Sequence, residues 1–302
     1  MALRYYLMDV FTDRMFGGNP LAVVPEAPSL STETMQSIAR ELNLSETVFV
    51  FSPERGGLKK IRIFTPRSEL PFAGHPTVGT AILLAELGLA PQPEGECRIV
   101  LEEGVGPVPV ALRMRQGRPE FAQLTAAQLP EFRAPSLARE TISAMLSLET
   151  ADLHPGPLEP IAASCGVPFF FVPLRDRAAV GRASLDRTVW QKELAGQWAE
   201  HVLVYALEGE LPGSDLRGRM FAPAAGIAED PATGGAAVAL AGYLARQRSE
   251  TSGTFRWTLE QGFEMGRPSL LYLEAEKRAG EIIAVRVGGQ AVVIGEGTLR
   301  IE

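Results

Sequence analysis

Three side chains stand where chemistry could be done: Glu46, His75 and Asp230. His75 and Asp230 open two turns that lead into apolar segments. One is Gly74-His75-Pro76-Thr77-Val78-Gly79-Thr80-Ala81, which continues as Ile82-Leu83-Leu84-Ala85. The other is Glu229-Asp230-Pro231-Ala232-Thr233-Gly234-Gly235-Ala236-Ala237, apolar onward to Leu244. Small residues let a ligand approach the backbone closely, and a helix apolar on nearly every face belongs inside its domain. The first N–H groups of such a helix lack an intrahelical partner and can receive an anion. Proline in the first turn, as expected for Pro231, costs no hydrogen bond. Glu46 closes the loop Leu44-Ser45-Glu46 and precedes the apolar strand at residues 47–51. Partial desolvation there is expected to raise its pKa, which suits a general acid or base. A carboxylate, an imidazole and a second carboxylate, together with two helix starts, could bind a carboxylate and move a proton on the adjoining carbon. Each also has an ordinary reading: a solvated glutamate for Glu46, and helix caps for His75 and Asp230.

The two turns share the pattern [His/Asp]-Pro-x-x-Gly-x-Ala, displaced by 155 residues (from 75 to 230) in a chain of 302. That displacement points to a duplicated fold, and the length suits two domains of about 150 residues. A helix is expected over 31–41. Ser31 is its cap, Leu30 and Met35 form a staple, Met35, Ile38, Ala39 and Leu42 share a face, and Asn43 is the stop. Strands are expected at 5–11, 21–24, 47–51, 60–65, 98–101 and 108–114, then at 121–124, 169–174, 201–207 and 217–222. Further helices are expected at 137–146 and 186–196. Tail strands at 255–260, 269–274, 282–287 and 291–294 are separated by glycine turns. The pattern is α+β, with curved and mainly antiparallel sheets around two buried helices. The halves fall at 1–117 plus 290–302 and at 118–289.

A net charge of −7 argues against a broad nucleic-acid surface. The apolar runs stop well short of the roughly 18 residues of a membrane span. Residues 1–6 lack a basic stretch followed by an apolar one, so a cytoplasmic protein without a signal peptide is expected. Cys97 and Cys165 make no disulfide framework and have no evident base beside them. His75, His154 and His201 show no metal-ligand spacing with the cysteines; His201, opening an apolar strand, reads as structural, and His154, beside Pro155 and Gly156, as a loop residue. Gly104-Val105-Gly106-Pro107 lacks the third glycine of a dinucleotide fingerprint and sits in a hairpin. Neither a metal nor a cofactor is expected.

Several stretches together resemble the phenazine-biosynthesis PhzF-like proteins. They are Met8-Asp9-Val10-Phe11-Thr12, residues 16–23 (Phe-Gly-Gly-Asn-Pro-Leu-Ala-Val), Leu44-Ser45-Glu46-Thr47, Phe64-Thr65-Pro66, residues 69–79, Phe221-Ala222-Pro223, residues 229–234 and the run from Gln261-Gly262 through Met265-Gly266-Arg267-Pro268-Ser269. They occur in the family's order and leave only about residues 115–215 weakly matched. The resemblance implies a diaminopimelate-epimerase-like fold of two pseudo-equivalent domains, each a curved sheet around a central helix, with the active site between them. It implies cofactor-independent isomerase chemistry on a small carboxylated metabolite, and a homodimer. Glu46 matches the general acid/base, and His75 and Asp230 match polar positions that contact substrate. Gly74 and Gly234 match backbone donors to the substrate carboxylate, while Asn19 and Ser45 fall in motifs lining the same cleft. Two departures stand out. Diaminopimelate epimerases use two cysteines near the helix starts, where this chain has Ala73 and no thiol between Asp230 and Ala237. Gly235 stands where the phenazine enzyme resembles a Gly-Ser pair, so one hydroxyl contact is missing. The alternatives are a cofactor-independent epimerase or racemase, and a non-catalytic small-ligand-binding protein on the same fold.

Overall fold

The computed structural model describes residues 2–27 and 30–301; Met1 and Glu302, which bound the expected N-terminal half, lie outside the described residues. The chain divides into two compact units. One runs up to Ala127 and resumes at Arg286, and the other is Gln128–Val285. The class is mixed α+β, as the pattern required.

The first unit contains β1 (Ala2–Val10), β2 (Asn19–Val24), α1 (Thr32–Leu42), β3 (Glu46–Phe51), β4 (Lys59–Phe64), β5 (Glu69–Leu70), α2 (Gly74–Glu86), β6 (Gly95–Glu103), β7 (Gly106–Arg115) and β8 (Arg118–Thr125). Most pairings are antiparallel, but β2 runs parallel to β3 and β4 parallel to β6. A parallel pair needs a crossover, and the two crossovers are α1 and α2. α1 starts where Ser31 accepts a hydrogen bond from the Thr34 N–H, and ends at Asn43 in the left-handed conformation. It buries Met35, Ile38 and Ala39, the face its spacing predicts. α2 instead buries every residue from Gly74 to Ala85. It packs against β1, β2, β3, β7 and β8, so the sheet curves around it.

The second unit repeats the plan with β9 (Glu131–Arg133), α3 (Arg139–Met145), β10 (Ile161–Ser164), β11 (Pro168–Pro173), α4 (Arg177–Arg182), α5 (Arg187–Glu193), β12 (His201–Ala206), β13 (Leu216–Ala222), β14 (Ile227–Asp230), α6 (Gly234–Arg246), β15 (Gly253–Gln261) and β16 (Ser269–Arg278). Strand β17 (Glu281–Gly289) leads back to the first unit, whose last strand is β18 (Ala291–Arg300). Here β11 is parallel to β12 and β13 to β15. α4 and α5 lie in the first crossover and α6 in the second. α6 is buried from Gly234 to Ala245 and packs on β10, β11, β15 and β16. α4 has no clear apolar period. It forms because Asp176 accepts from the Ala179 N–H at 2.8 Å and Ala179 and Val180 reach the core.

The internal repeat is real in architecture but its letters align out of phase. Gly74 and Gly234 are the two helix starts, whereas the shared pattern sets Gly79 against Gly234. Pro76 lies inside the first turn of α2, but Pro231 precedes α6 by three residues. The expectation that Pro231 opens the helix is therefore corrected. Thr233 takes the cap position, and residues 231–233 bridge from β14 to the helix. Among the described residues no helix is long and apolar enough to cross a membrane.

Candidate active site

The first unit brings Asn19, Glu46 and His75 together. Asn19 and Glu46 are the first residues of β2 and β3, and the register sets Leu21 opposite Glu46. His75 is the second residue of α2. Its Nε2 lies 3.2 Å from Glu46 Oε2, and its Nδ1 lies 3.3 Å from Asn19 Nδ2. The 3.2 Å approach to Glu46 is a close contact and not a hydrogen bond, and the ring donates instead to the Pro20 carbonyl, which can only accept.

Burial sets the electrostatics. The side chains of His75 and Glu46 are 4% and 12% exposed, so Glu46 is not a freely solvated strand-end acid. Burial lowers the His75 pKa to about 3, opposed by a hydrogen bond at the Pro20 backbone. The ring is neutral at neutral pH, and the contact joins an imidazole to a carboxyl group rather than forming an ion pair.

Two glycines make this packing possible. A Cβ at Gly79 would stand 2.7 Å from both Leu21 Cδ2 and Val10 Cγ2, so α2 reaches β1 and β2 only without one. Gly18 has φ +59°, and a Cβ there would meet the Val10 carbonyl oxygen at 2.3 Å. That turn delivers Asn19, fully buried, beneath His75. Ser45 is half-buried in the bend before β3. Gly74 is the first residue of α2, and Ala73 at the cap position offers no capping side chain. His75 is thus inside the helix and is not its cap.

Asp230 lies in the second unit at the end of β14, three residues before the cap position of α6, and is not a cap either. It is held in a closed network. The Thr233 hydroxyl donates to Asp230 Oδ2 at 2.6 Å. Gln261 Nε2 donates to the Asp230 carbonyl at 2.7 Å and to Thr233 Oγ1 at 3.0 Å, while Gln261 Oε1 accepts from the Thr233 N–H at 3.2 Å. Thr233 therefore spends its hydroxyl on Asp230 and not on capping α6. Gly234 and Gly235 begin the helix, both buried. Gly262 has φ +78°, and a Cβ there would lie 2.4 Å from the Arg267 oxygen and 2.6 Å from the Pro231 oxygen. It clasps the segment that carries Asp230.

Thr233 and Gln261 were not singled out by residue type, although both lie in motifs that the resemblance rests on. A cue was available in the Gln261-Gly262 pair closing a long strand, since glycine there marks a tight turn. Glu103, buried at the end of β6, was missed because Glu102-Glu103-Gly104 looks like the solvated shoulder of a hairpin. Burial raises the Cys97 pKa and pushes Cys165 up to about 12, so both thiols stay protonated. His201 packs 5.9 Å from the Phe169 ring, and His154 Nδ1 accepts from the Gly156 N–H at 3.1 Å, which fits structural roles for both. Among the described residues no group of three or more His, Cys, Asp or Glu side chains could hold a metal ion.

Residues 8–297 match the family described as phenazine biosynthesis-like protein, PhzC-PhzF. The chain is 43% identical over 302 residues to an uncharacterized isomerase of Mesorhizobium japonicum, covering 98% of each chain. It is 37% identical over 294 residues to the trans-2,3-dihydro-3-hydroxyanthranilate isomerase of Pseudomonas aeruginosa, covering 97% of this chain and 98% of that one. Among solved structures, the PhzF-family phenazine biosynthesis protein of Bacillus anthracis superposes over the whole of both chains with a TM-score of 0.89 and 26% identity.

Proposed function

Because the chain belongs to the phenazine biosynthesis-like PhzC-PhzF family of isomerases, we propose that it moves a proton within a small carboxylated metabolite, using Glu46 as general acid and base and no cofactor. The observation that supports this most is the buried line Glu46–His75–Asn19, with separations of 3.2 and 3.3 Å. Glu46 takes a proton from an activated carbon and returns it at another position, so the substrate changes in connectivity but not in composition. His75, neutral and buried 3.2 Å from Glu46, steadies the carboxyl group between the two transfers, with Asn19 against its other ring nitrogen. The uncapped start of α2 at Gly74, with Ser45 beside Glu46, is the proposed receptor for the substrate carboxylate in this unit. In the second unit, Asp230 and the backbone N–H groups of Gly234 and Gly235 are proposed as further substrate contacts. The proposed substrates are of the class named for the Pseudomonas aeruginosa relative, carboxylated rings with a conjugated, acidic C–H.

The test is Glu46→Gln assayed against trans-2,3-dihydro-3-hydroxyanthranilate and a panel of related carboxylates. A lone general base contributes about 10²–10⁴-fold; the variant should lose that much in kcat while still folding and binding. Undiminished turnover overturns the assignment. In deuterated water, label at a new carbon with a shifted double bond marks isomerisation, and inversion at one labelled carbon marks epimerisation. Binding of the panel without exchange marks a non-catalytic protein.

A further inference from the structure

Glu103 is a buried carboxyl group that the proposed proton transfer does not use. It closes β6, and its Oε1 lies 2.6 Å from Thr77 Oγ1 on the first turn of α2. The same hydroxyl lies 2.7 Å from the Ala73 carbonyl oxygen. A hydroxyl has one proton to give. If Glu103 is ionised, two acceptors compete for that proton and one of the two short contacts is between bare oxygens. A proton on Oε1 removes the conflict: Glu103 donates to Thr77, and Thr77 donates to Ala73. Glu103 Oε2 is buried without a hydrogen-bond partner, which a neutral acid tolerates far better than a carboxylate.

The second unit supplies an independent comparison. Lys60 pairs with Glu102 across the parallel β4–β6 contact, as Arg217 pairs with Glu260 across β13–β15. Glu102 accepts the N–H groups of Glu54 and Arg55, and Glu260 those of Glu210 and Leu211. The next residue is Glu103 in one unit and Gln261 in the other, and Gln261 holds the cap of its buried helix through a donating –NH2. At the matching strand position a neutral donor of nearly the same shape holds the start of its buried helix, there at the cap Thr233 and here at Thr77 on the first turn. We propose that Glu103 is kept as a neutral carboxylic acid whose O–H anchors Thr77, making it a positioning residue for the α2 turn that carries His75. This deepens the reading of His75 given above and rests on it only for what the positioning serves.

The surroundings agree. The cavity of about 280 Å³ that Glu103 borders is also lined by Glu54 and Arg55 of the loop before β4, Lys60 and Arg62 of β4, Glu69 of β5 and Glu102 of β6. Lys60 is paired with Glu54 and Arg62 with Glu69, while the charge of Arg55 acts on Glu102. From α2 the titratable group of the first turn is His75, which is neutral, and on β7 the residue opposite is Gly106. Among the described residues no cation pairs with Glu103. Burial raises its pKa from 4.5 to about 8, against the opposing hydrogen bonds of the Thr77 hydroxyl and the Ala73 backbone.

The experiment is a carboxyl-carbon NMR titration of the full chain labelled with 13C-glutamate, with Glu103 assigned through its backbone, beside the ring-nitrogen signals of His75. Glu103 should titrate near 8 instead of 4.5. The His75 signals should move through that same step in the parent and stay flat in Glu103→Gln, whose amide supplies the donor at every pH. A Glu103 carbon titrating near 4.5 overturns the proposal, as does a His75 response that is the same in both proteins. The parent titration decides the protonation state even if Glu103→Gln fails to fold. No turnover is needed, so failure of the Glu46 assignment would be seen separately.

Discussion

In the first unit the strand after the first parallel crossover opens with Glu46, and the second residue of the buried helix is His75. In the second unit the same two places hold His201 and Gly235. The registers correspond, since Leu21 faces Glu46 and Phe169 faces His201. The Phe169 ring lies 5.9 Å from the His201 ring and 3.5 Å from where a Gly235 Cβ would stand. An aromatic ring thus sits in the second unit beside the places that hold a titratable pair in the first. What the units share is the plan and not the position of each support. Gly18, before Asn19, opens the strand that leads into the first crossover, and Gly262, after Gln261, ends the strand that follows the buried helix, yet each sets a buried amide beneath a polar group near its helix start at a glycine with positive φ. The two units thus reach a similar support through different residues of a common plan.

The largest effects are expected from removing these two supports. Gly18→Ala and Gly262→Ala each force a left-handed conformation, which costs about 1–2 kcal/mol. The collisions at 2.3 and 2.4 Å are with backbone oxygens, which cannot swing away, and overpacking adds about 1–3 kcal/mol. Both variants should show a large loss in urea-unfolding stability of similar size. If only one of the two variants loses stability, the other glycine is not a support.

A smaller effect is expected from Thr233→Val, which keeps the shape and removes the hydroxyl between Asp230 and Gln261. A buried polar group left without a partner costs about 1–3 kcal/mol, so stability should fall within that range. KM should rise if Asp230 is a substrate contact, with kcat changed less than by Glu46→Gln. Equal losses of kcat in the two variants would place proton chemistry in both units.

These distinctions show which features were legible in the residues alone. Both buried helices could be read, because apolar residues on every face admit no other position. Ser31 and Asn43 marked the ends of α1 because caps are local chemistry. The phase of the repeat could not be read, since a Pro-x-x-Gly pattern carries no information about which residue begins the helix. Glu46 and His75 were identifiable as candidates, but their meeting depends on Gly79 letting α2 approach β2, a contact between residues far apart in the chain. Glu103 and Gln261 escaped because a strand end beside a turn looks solvated until the sheet curls over the helix.

The pH dependence of stability separates the units further. His75 has a folded pKa of about 3 against an ordinary 6.5, so the unfolded chain binds more protons between those values. Its contribution is complete above about pH 6.5 and is lost as the pH falls toward 3. The parent should therefore lose more stability than His75→Gln on acidification through that window. His201 is also lowered by burial, but it is only partly enclosed, and His201→Gln should flatten the profile less. Thermal melts of the three proteins across the window measure the difference, and an equal flattening by both variants would remove the contrast between the two sites.

The smallest expected effect is at Gly235, and its sign is the informative part. A Cβ there would sit 3.5 Å from Phe169 Cε2 and 3.6 Å from Cζ, ordinary van der Waals contact, and φ is not in the left-handed region. Glycine in a helix interior is less stable than alanine by about 0.8–1.0 kcal/mol, and the first turn gains only part of that. Gly235→Ala should leave stability unchanged or raise it slightly, in contrast to Gly18 and Gly262, where an added methyl meets backbone. Gly235→Ser should fold equally well and place a hydroxyl at the start of α6. If the absent side chain at this position helps set substrate choice, Gly235→Ser will change the ratio of kcat/KM between trans-2,3-dihydro-3-hydroxyanthranilate and the best of the other carboxylates, with the melting temperature unmoved. An unchanged ratio would assign the Phe169–Gly235 surface to packing alone and leave the choice of substrate to the first unit.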